Sequence, residues 1–192
     1  MNPTLAIAAL LLALLHVAAP RIDNASFESP DRDARSGALA LPEGWQLFTS
    51  SSDPVEAGVT DGEASDGAQS LALKSTGVAG SFHGVLQVVE VAPGAALTLE
   101  ADVRNDPSNP LSGTVSGQLS FEWLADDDEV GRSYSGDWKQ DLPADEWTTM
   151  TLAANTPEGA DRVRVVITLR EGDAPTGGAF LIDNIRLSAS GG

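Results

Sequence analysis

Asp183 lies in the last strand-like run of the chain, at a position where an ionised group is expensive. Within Ala179-Phe180-Leu181-Ile182-Asp183-Asn184-Ile185-Arg186-Leu187, a period of two puts Leu181, Asp183, Ile185 and Leu187 on one face. A carboxylate among aliphatics on a buried face must be met by a positive group or by hydrogen bonds. At the other end of the chain, Glu28 directly follows an aromatic anchor in Asn24-Ala25-Ser26-Phe27-Glu28. If folding brings the two ends together, Asp183 and Glu28 can share one cation. Calcium is the natural choice for oxygen ligands. Two other readings stay open at this point: a partly exposed edge acid, and an acid capped by backbone N–H groups.

The elements that must hold these acids read as strands. Leu97, Leu99, Ala101 and Val103 alternate with Thr98, Glu100, Asp102 and Arg104. Leu119, Phe121 and Trp123 alternate with Gln118, Ser120 and Glu122, and Val163, Val165, Ile167 and Leu169 alternate with mostly polar neighbours. These are half-buried antiparallel strands with one solvated side. Further runs cover Gln69–Ser75, Phe82–Val91, Glu129–Tyr134 and Trp147–Ala153, separated by turn signals such as Ala92-Pro93-Gly94 and Asp126-Asp127-Asp128. No segment past residue 20 sustains a helical apolar period. The expected fold is therefore all-β, a two-sheet antiparallel β-sandwich of about eight to eleven strands. The polar stretch 29–43 reads as a long loop.

The chain has 192 residues, enough for one domain with an N-terminal extension. Residues 1–20 carry no charged side chain, and Leu5 to Ala19 is almost wholly aliphatic. As a helix that run reaches roughly 22 Å, short for a bilayer, so residues 1–20 read as a signal-peptide helix, with an uncleaved anchor as the alternative. The expected division is 1–20 signal peptide, 21–188 β-sandwich binding module and 189–192 tail. There is no cysteine, so neither disulfides nor a thiolate metal site is available. Bacterial-type export to the medium or cell surface fits that composition. The net charge of −17 repels nucleic acid and anionic membrane, leaving divalent cations and neutral ligands as partners.

Several short motifs, taken in order, resemble the carbohydrate-binding modules of the family 4/9/22 type, within the galactose-binding-domain-like jelly rolls. Asn24-Ala25-Ser26-Phe27-Glu28 is similar to the family's N-x-x-F-E opening, and Gly44-Trp45 to its following Gly-Trp. Gly67-Ala68-Gln69-Ser70-Leu71-Ala72-Leu73 resembles G-x-x-S-L-x-L, and Gln87-Val88-Val89-Glu90-Val91-Ala92-Pro93-Gly94 resembles Q-x-V-x-V-x-P-G. Trp147, Met150-Thr151-Leu152 and Ile182-Asp183-Asn184-Ile185 match the closing half, so the likeness spans residues 24–188. Leu97 departs from the pattern, standing where the family usually carries an aromatic.

The resemblance implies a jelly roll, a poly- or oligosaccharide ligand and a structural calcium. Carried over by position, the ion would be held by Glu28, Asp183 and carbonyls near Gly67 to Ser70, with Asn24 as a further candidate. Glycan recognition leans on aromatic rings. Trp138, in the polar segment Tyr134-Ser135-Gly136-Asp137-Trp138-Lys139, is expected to be exposed, so Trp138 and Tyr134 are the stacking candidates. Gln118, Glu122 and Arg104, on solvated strand faces, are the candidates for binding sugar hydroxyls. Catalysis is not expected. His83 is the one histidine after the signal peptide, and no nucleophile-elbow pattern accompanies it. The leading reading is a secreted, non-catalytic carbohydrate-binding module. The alternative is an extracellular structural or adhesive protein that self-assembles as a homo-oligomer through an edge strand.

Overall fold

The computed structural model describes residues 19–50, 52 and 54–190. The expected signal peptide therefore falls almost wholly outside the described residues. Those residues form twelve strands: β1 (Pro30–Ser36), β2 (Leu39–Pro42), β3 (Gln46–Thr49), β4 (Glu56–Asp61), β5 (Gln69–Lys74), β6 (Phe82–Glu90), β7 (Ala96–Asn105), β8 (Ser112–Ala125), β9 (Asp128–Tyr134), β10 (Thr148–Asn155), β11 (Arg162–Gly177) and β12 (Ala179–Ser190). Seven make one sheet in the order β1-β2-β4-β5-β12-β7-β10, and five make the other, β3-β6-β11-β8-β9. Every pairing between named strands is antiparallel. This is the sandwich that the alternating pattern predicts.

The core lies between the sheets and follows the period of two. Leu97, Leu99, Ala101 and Val103 fill it from β7, and Val163, Val165, Ile167 and Leu169 from β11. Aromatic pairs anchor it, Phe121 with Trp123 at 5.0 Å and Phe27 with Trp45 at 5.5 Å between ring centroids. Buried Gln87 on β6 fastens the N-terminal segment and the turn before β3. Its amide donates to the carbonyls of Asp23 and Gly44 and its oxygen accepts from the Asp23 N–H. That clamp holds the N-terminal segment against the five-stranded sheet and so fixes where Glu28 begins.

Three expectations need correction. Residues 29–43 are not a loop, because β1 and β2 form a hairpin turning at Gly37, whose φ of 64° suits glycine. The tail is shorter than expected, because β12 continues to Ser190, opposite Ala96. The third concerns the face that Asp183 shares. Asp183 stands opposite Asp102 while Arg186 stands opposite Glu100, so β12 holds one residue more than β7 across this stretch. Asn184 absorbs the resulting bulge at φ 50°. Phe180, Ile182 and Ile185 consequently face the core, whereas Leu181 and Asp183 face the outer side of the seven-stranded sheet. Asp183 therefore does not share a face with Ile185.

Candidate functional site

The outer face of the five-stranded sheet carries a groove of about 580 Å³. Its floor comes from the outward positions of the central strands, with Val166 and Thr168 on β11, Ser120 on β8 and Leu86 on β6. One end is aromatic. Phe48 on β3 and Phe82 on β6 lie 6.4 Å apart between ring centroids. The Phe48 ring rests over the bare backbone of Gly84, its cross-strand partner, where a Cβ would come within 3.0 Å of it. Tyr134 on β9 stands at the opposite end. Phe82 and Tyr134 remain 43% and 53% exposed, so both rings offer apolar surface to the groove.

Polar groups wall the space between the rings. Glu122 takes ion pairs from Arg132 (3.3 Å) and Arg164 (3.2 Å). Arg132 also grips Glu129 with two donors. That grip, with Glu122 close by, pushes the guanidinium pKa further up and holds the Glu129 carboxyl below its usual range. Gln118 donates to Asp137 (2.8 Å), and Arg170 pairs with the same aspartate at 3.2 Å. Flat apolar faces next to fixed donors and acceptors suit a polyhydroxylated ligand.

Of the residues singled out from sequence, the groove brings together Tyr134, Gln118 and Glu122. Trp138 does not belong to it. The indole is 3% exposed, in the core, meeting Phe180 edge-on at 5.1 Å. Its backbone pairs with Gly117 through two hydrogen bonds of 2.9 and 3.0 Å, extending the edge beyond β9, and the ring occupies the space that a Cβ on residue 117 would need. A glycine inside a strand signals such a close approach, and Gly117 was the readable clue. Arg104 is also misplaced by the sequence reading. It is buried on the other sheet, paired with Glu63 at 3.0 Å and stacked 5.4 Å over Trp147. Phe48, Phe82, Arg132 and Arg170 were not foreseen as site residues; their outward register, readable only once strand pairing is known, is what assembles them.

Asp183 and Glu28 are both docked on one stretch of chain, the loop 62–68 and the first residue of β5. Asp183 Oδ2 accepts from the N–H groups of Ser65 (2.7 Å) and Asp66 (2.8 Å), and its Oδ1 accepts from the Asn184 N–H. Glu28 Oε1 accepts from Ala68 and Gln69, each at 2.8 Å. Between the two contacts stands Gly67 at φ 79°, where a Cβ would overlap the Glu28 carboxylate. Asp183 is fully buried, and no lysine or arginine among the described residues pairs with it. Burial pushes its pKa up, against the pull of the N–H donors. Next to it, Ser65 Oγ donates to Asp102, whose carboxyl is disfavoured by burial yet held below its usual range by Arg186, Thr149, Asn184 and Ser65.

The expected carbonyl ligands belong to this same stretch, where two side-chain oxygens stand out. Ser70 Oγ and Gln69 Oε1 are buried without a hydrogen-bond partner. Asn24 is taken up by its own turn, its oxygen accepting from Ser29 and its amide donating to the carbonyls of Ser29 and Glu43. Among the described residues no three histidine, cysteine, aspartate or glutamate side chains converge as a metal cage.

No protein-family model matches this chain, and no curated protein matches it. Solved structures do. The tailspike protein 4 enzymatically active domain of bacteriophage CBA120 superposes with a TM-score of 0.64 at 16% identity, over 88% of this chain and 21% of that one. A Stig cyclase from Fischerella sp. TAU gives 0.58 at 18% identity, over 90% and 97%. The CBM22-1 xylan-binding domain from Paenibacillus barcinonensis Xyn10C gives 0.57 at 17%, over 85% and 90%. The chain thus spans about a fifth of the tailspike domain but nearly the whole of the other two. At these identities the likeness is one of architecture. The sandwich shares its fold with these structures, a xylan-binding domain among them, and it is the jelly roll that the order of the sequence motifs implied.

Proposed function

We propose that this protein is an exported, non-catalytic carbohydrate-binding protein that holds a poly- or oligosaccharide in the groove of its five-stranded sheet. The observation that carries this reading is the pair of exposed rings, Phe82 and Tyr134, facing one groove with Gln118, Glu122 and Arg132 between them. Rings would cover sugar faces, and the paired charges would exchange hydrogen bonds with hydroxyls. His83 supports a binding rather than a catalytic role. It is buried on the core side of β6, and burial lowers its pKa despite the nearby Glu171 carboxylate.

Calcium is the second part of the proposal. What supports it is that Asp183 is fully buried and met by N–H donors but by no lysine or arginine, with the Glu28 carboxylate docked nearby on the same stretch of chain; such oxygens suit that ion. Glu28 and Asp183 would hold it, with carbonyls of the Gly67–Ser70 stretch. Bound calcium would neutralise the two acids and leave the groove chemistry untouched.

The test is calorimetric titration against a panel of soluble polysaccharides, with and without chelator, for the native chain and Tyr134→Ala. Loss of one stacked ring should weaken binding by about tenfold or somewhat less, since such contacts are worth about 0.5–1.5 kcal/mol. Melting should not change, because Tyr134 is exposed. Binding that ignores Tyr134 refutes the groove. A second reading, association of copies through this face, draws on Val88 and Val130, which are 42% and 50% exposed. Large oligomers by light scattering together with no glycan binding would favour it.

A further inference from the structure

Resting on the groove as the saccharide site, we infer that its ligand carries a carboxylate at isolated positions, as a uronic acid unit on an otherwise neutral chain, and that Arg170 reads it. Of the other arginines on this sheet face, Arg164 gives only its Nη1, to Glu122, and does not line the groove; the remaining two are spoken for. Arg132 gives Nε and Nη2 to both oxygens of Glu129. Arg162 gives both terminal nitrogens to Asp127.

Arg170 both lines the groove and is engaged through Nη1 alone, by Gln118 Oε1 at 3.4 Å and Asp137 Oδ1 at 3.2 Å. Its Nε and Nη2 have no acceptor among the described residues, and the side chain is 49% exposed at the groove. Guanidinium recognition of carboxylate is strongest when two parallel N–H groups are offered, and Nε with Nη2 is such a pair. Asp137 and Gln118 meanwhile hold the group in place from its far side, lowering the cost of ordering it.

The position of the fork suggests what else the acidic unit touches. Arg170 stands directly opposite Phe82 in the β11–β6 register. One pyranose could therefore lie on the ring with its carboxylate on the guanidinium. The overall charge limits how acidic the polymer can be. A net charge of −17 repels a dense polyanion, whereas a single carboxylate within hydrogen-bond reach of Arg170 is held locally.

The experiment uses matched methyl glycosides differing only at C6, methyl glucuronide against methyl glucoside and methyl galacturonide against methyl galactoside, titrated by NMR into the native chain and Arg170→Gln. The expected result is that at least one uronide binds about tenfold tighter than its neutral partner, and that R170Q removes the difference between the two. Raising salt should weaken only the uronide. Equal binding of acid and neutral partners, with R170Q silent, overturns the inference and leaves the groove as a neutral-sugar site. No perturbation of Tyr134 or Phe82 resonances by any of the four overturns both the inference and the groove reading.

Discussion

Replacing Gly67 by alanine tests whether the loop that receives both acids is a specific clasp or ordinary surface. The right control is Gly62, five residues earlier, also at positive φ (90°), where a Cβ meets nothing within 4 Å. Both substitutions force a side chain into left-handed backbone, at about 1–3 kcal/mol each. Only G67A also pushes the Glu28 carboxylate off the N–H groups of Ala68 and Gln69. Those two bonds are solvent-exposed, so after screening their joint loss is set at about 1–2 kcal/mol. At roughly 2–4 °C per kcal/mol for a chain of this size, G67A should melt about 5 °C below G62A. Thermal and urea unfolding of both variants measure the gap. Pairing each with Glu28→Ala closes a cycle in which the excess should vanish, because its cause is gone. Equal melting of the two glycine variants would refute the clasp, as would an excess that survives removal of Glu28.

Other outcomes follow from the same contacts. Trp138→Ala should lower stability by about 3–5 kcal/mol, the range for deleting a buried large aromatic, as urea unfolding will show. Chelation should lower the melting temperature by several degrees through loss of a native-state ligand, and Asp183→Asn should abolish that response; an unchanged melting curve in excess chelator counts against the ion. For His83, burial lowers the pKa from its ordinary 6.5, so the unfolded chain binds the extra proton first. Its stability contribution is therefore present above pH 6.5 and lost as pH falls through the lowered folded value. Denaturation between pH 7 and 5 should show His83→Gln flattening the slope by up to about 1.4 kcal/mol per pH unit.

Much of the fold was legible because the sandwich obeys a period of two. Leu97 to Val103 and Val163 to Leu169 show it without interruption, and both lie in the core as read. What escaped were features set by neighbours distant in sequence. Residues 29–43 pair only because Gly37 lets the chain reverse, and their charged composition hides it. The bulge at Asn184 changes which face Asp183 occupies, and nothing in a strict alternation reveals one surplus residue. In the groove, Gln118 and Glu122 were legible as outward positions of strands, and Tyr134 as a ring beside a polar segment. Phe48 and Phe82 could not be assigned before the β3–β6 pairing was known. Trp138 was misjudged because its polar neighbours suggest solvent, while the deciding partner, Gly117, is twenty-one positions away.

That indole and the glycine beneath it occupy what is effectively a single volume. Natural variants of this architecture should therefore change the two positions in concert: a side chain at 117 only where 138 has become small, and a large ring at 138 only where 117 stays bare. Since residue 117 also directly precedes Gln118, such an exchange offers a route by which alterations inside the sandwich could reshape the binding surface without touching any residue that meets the ligand.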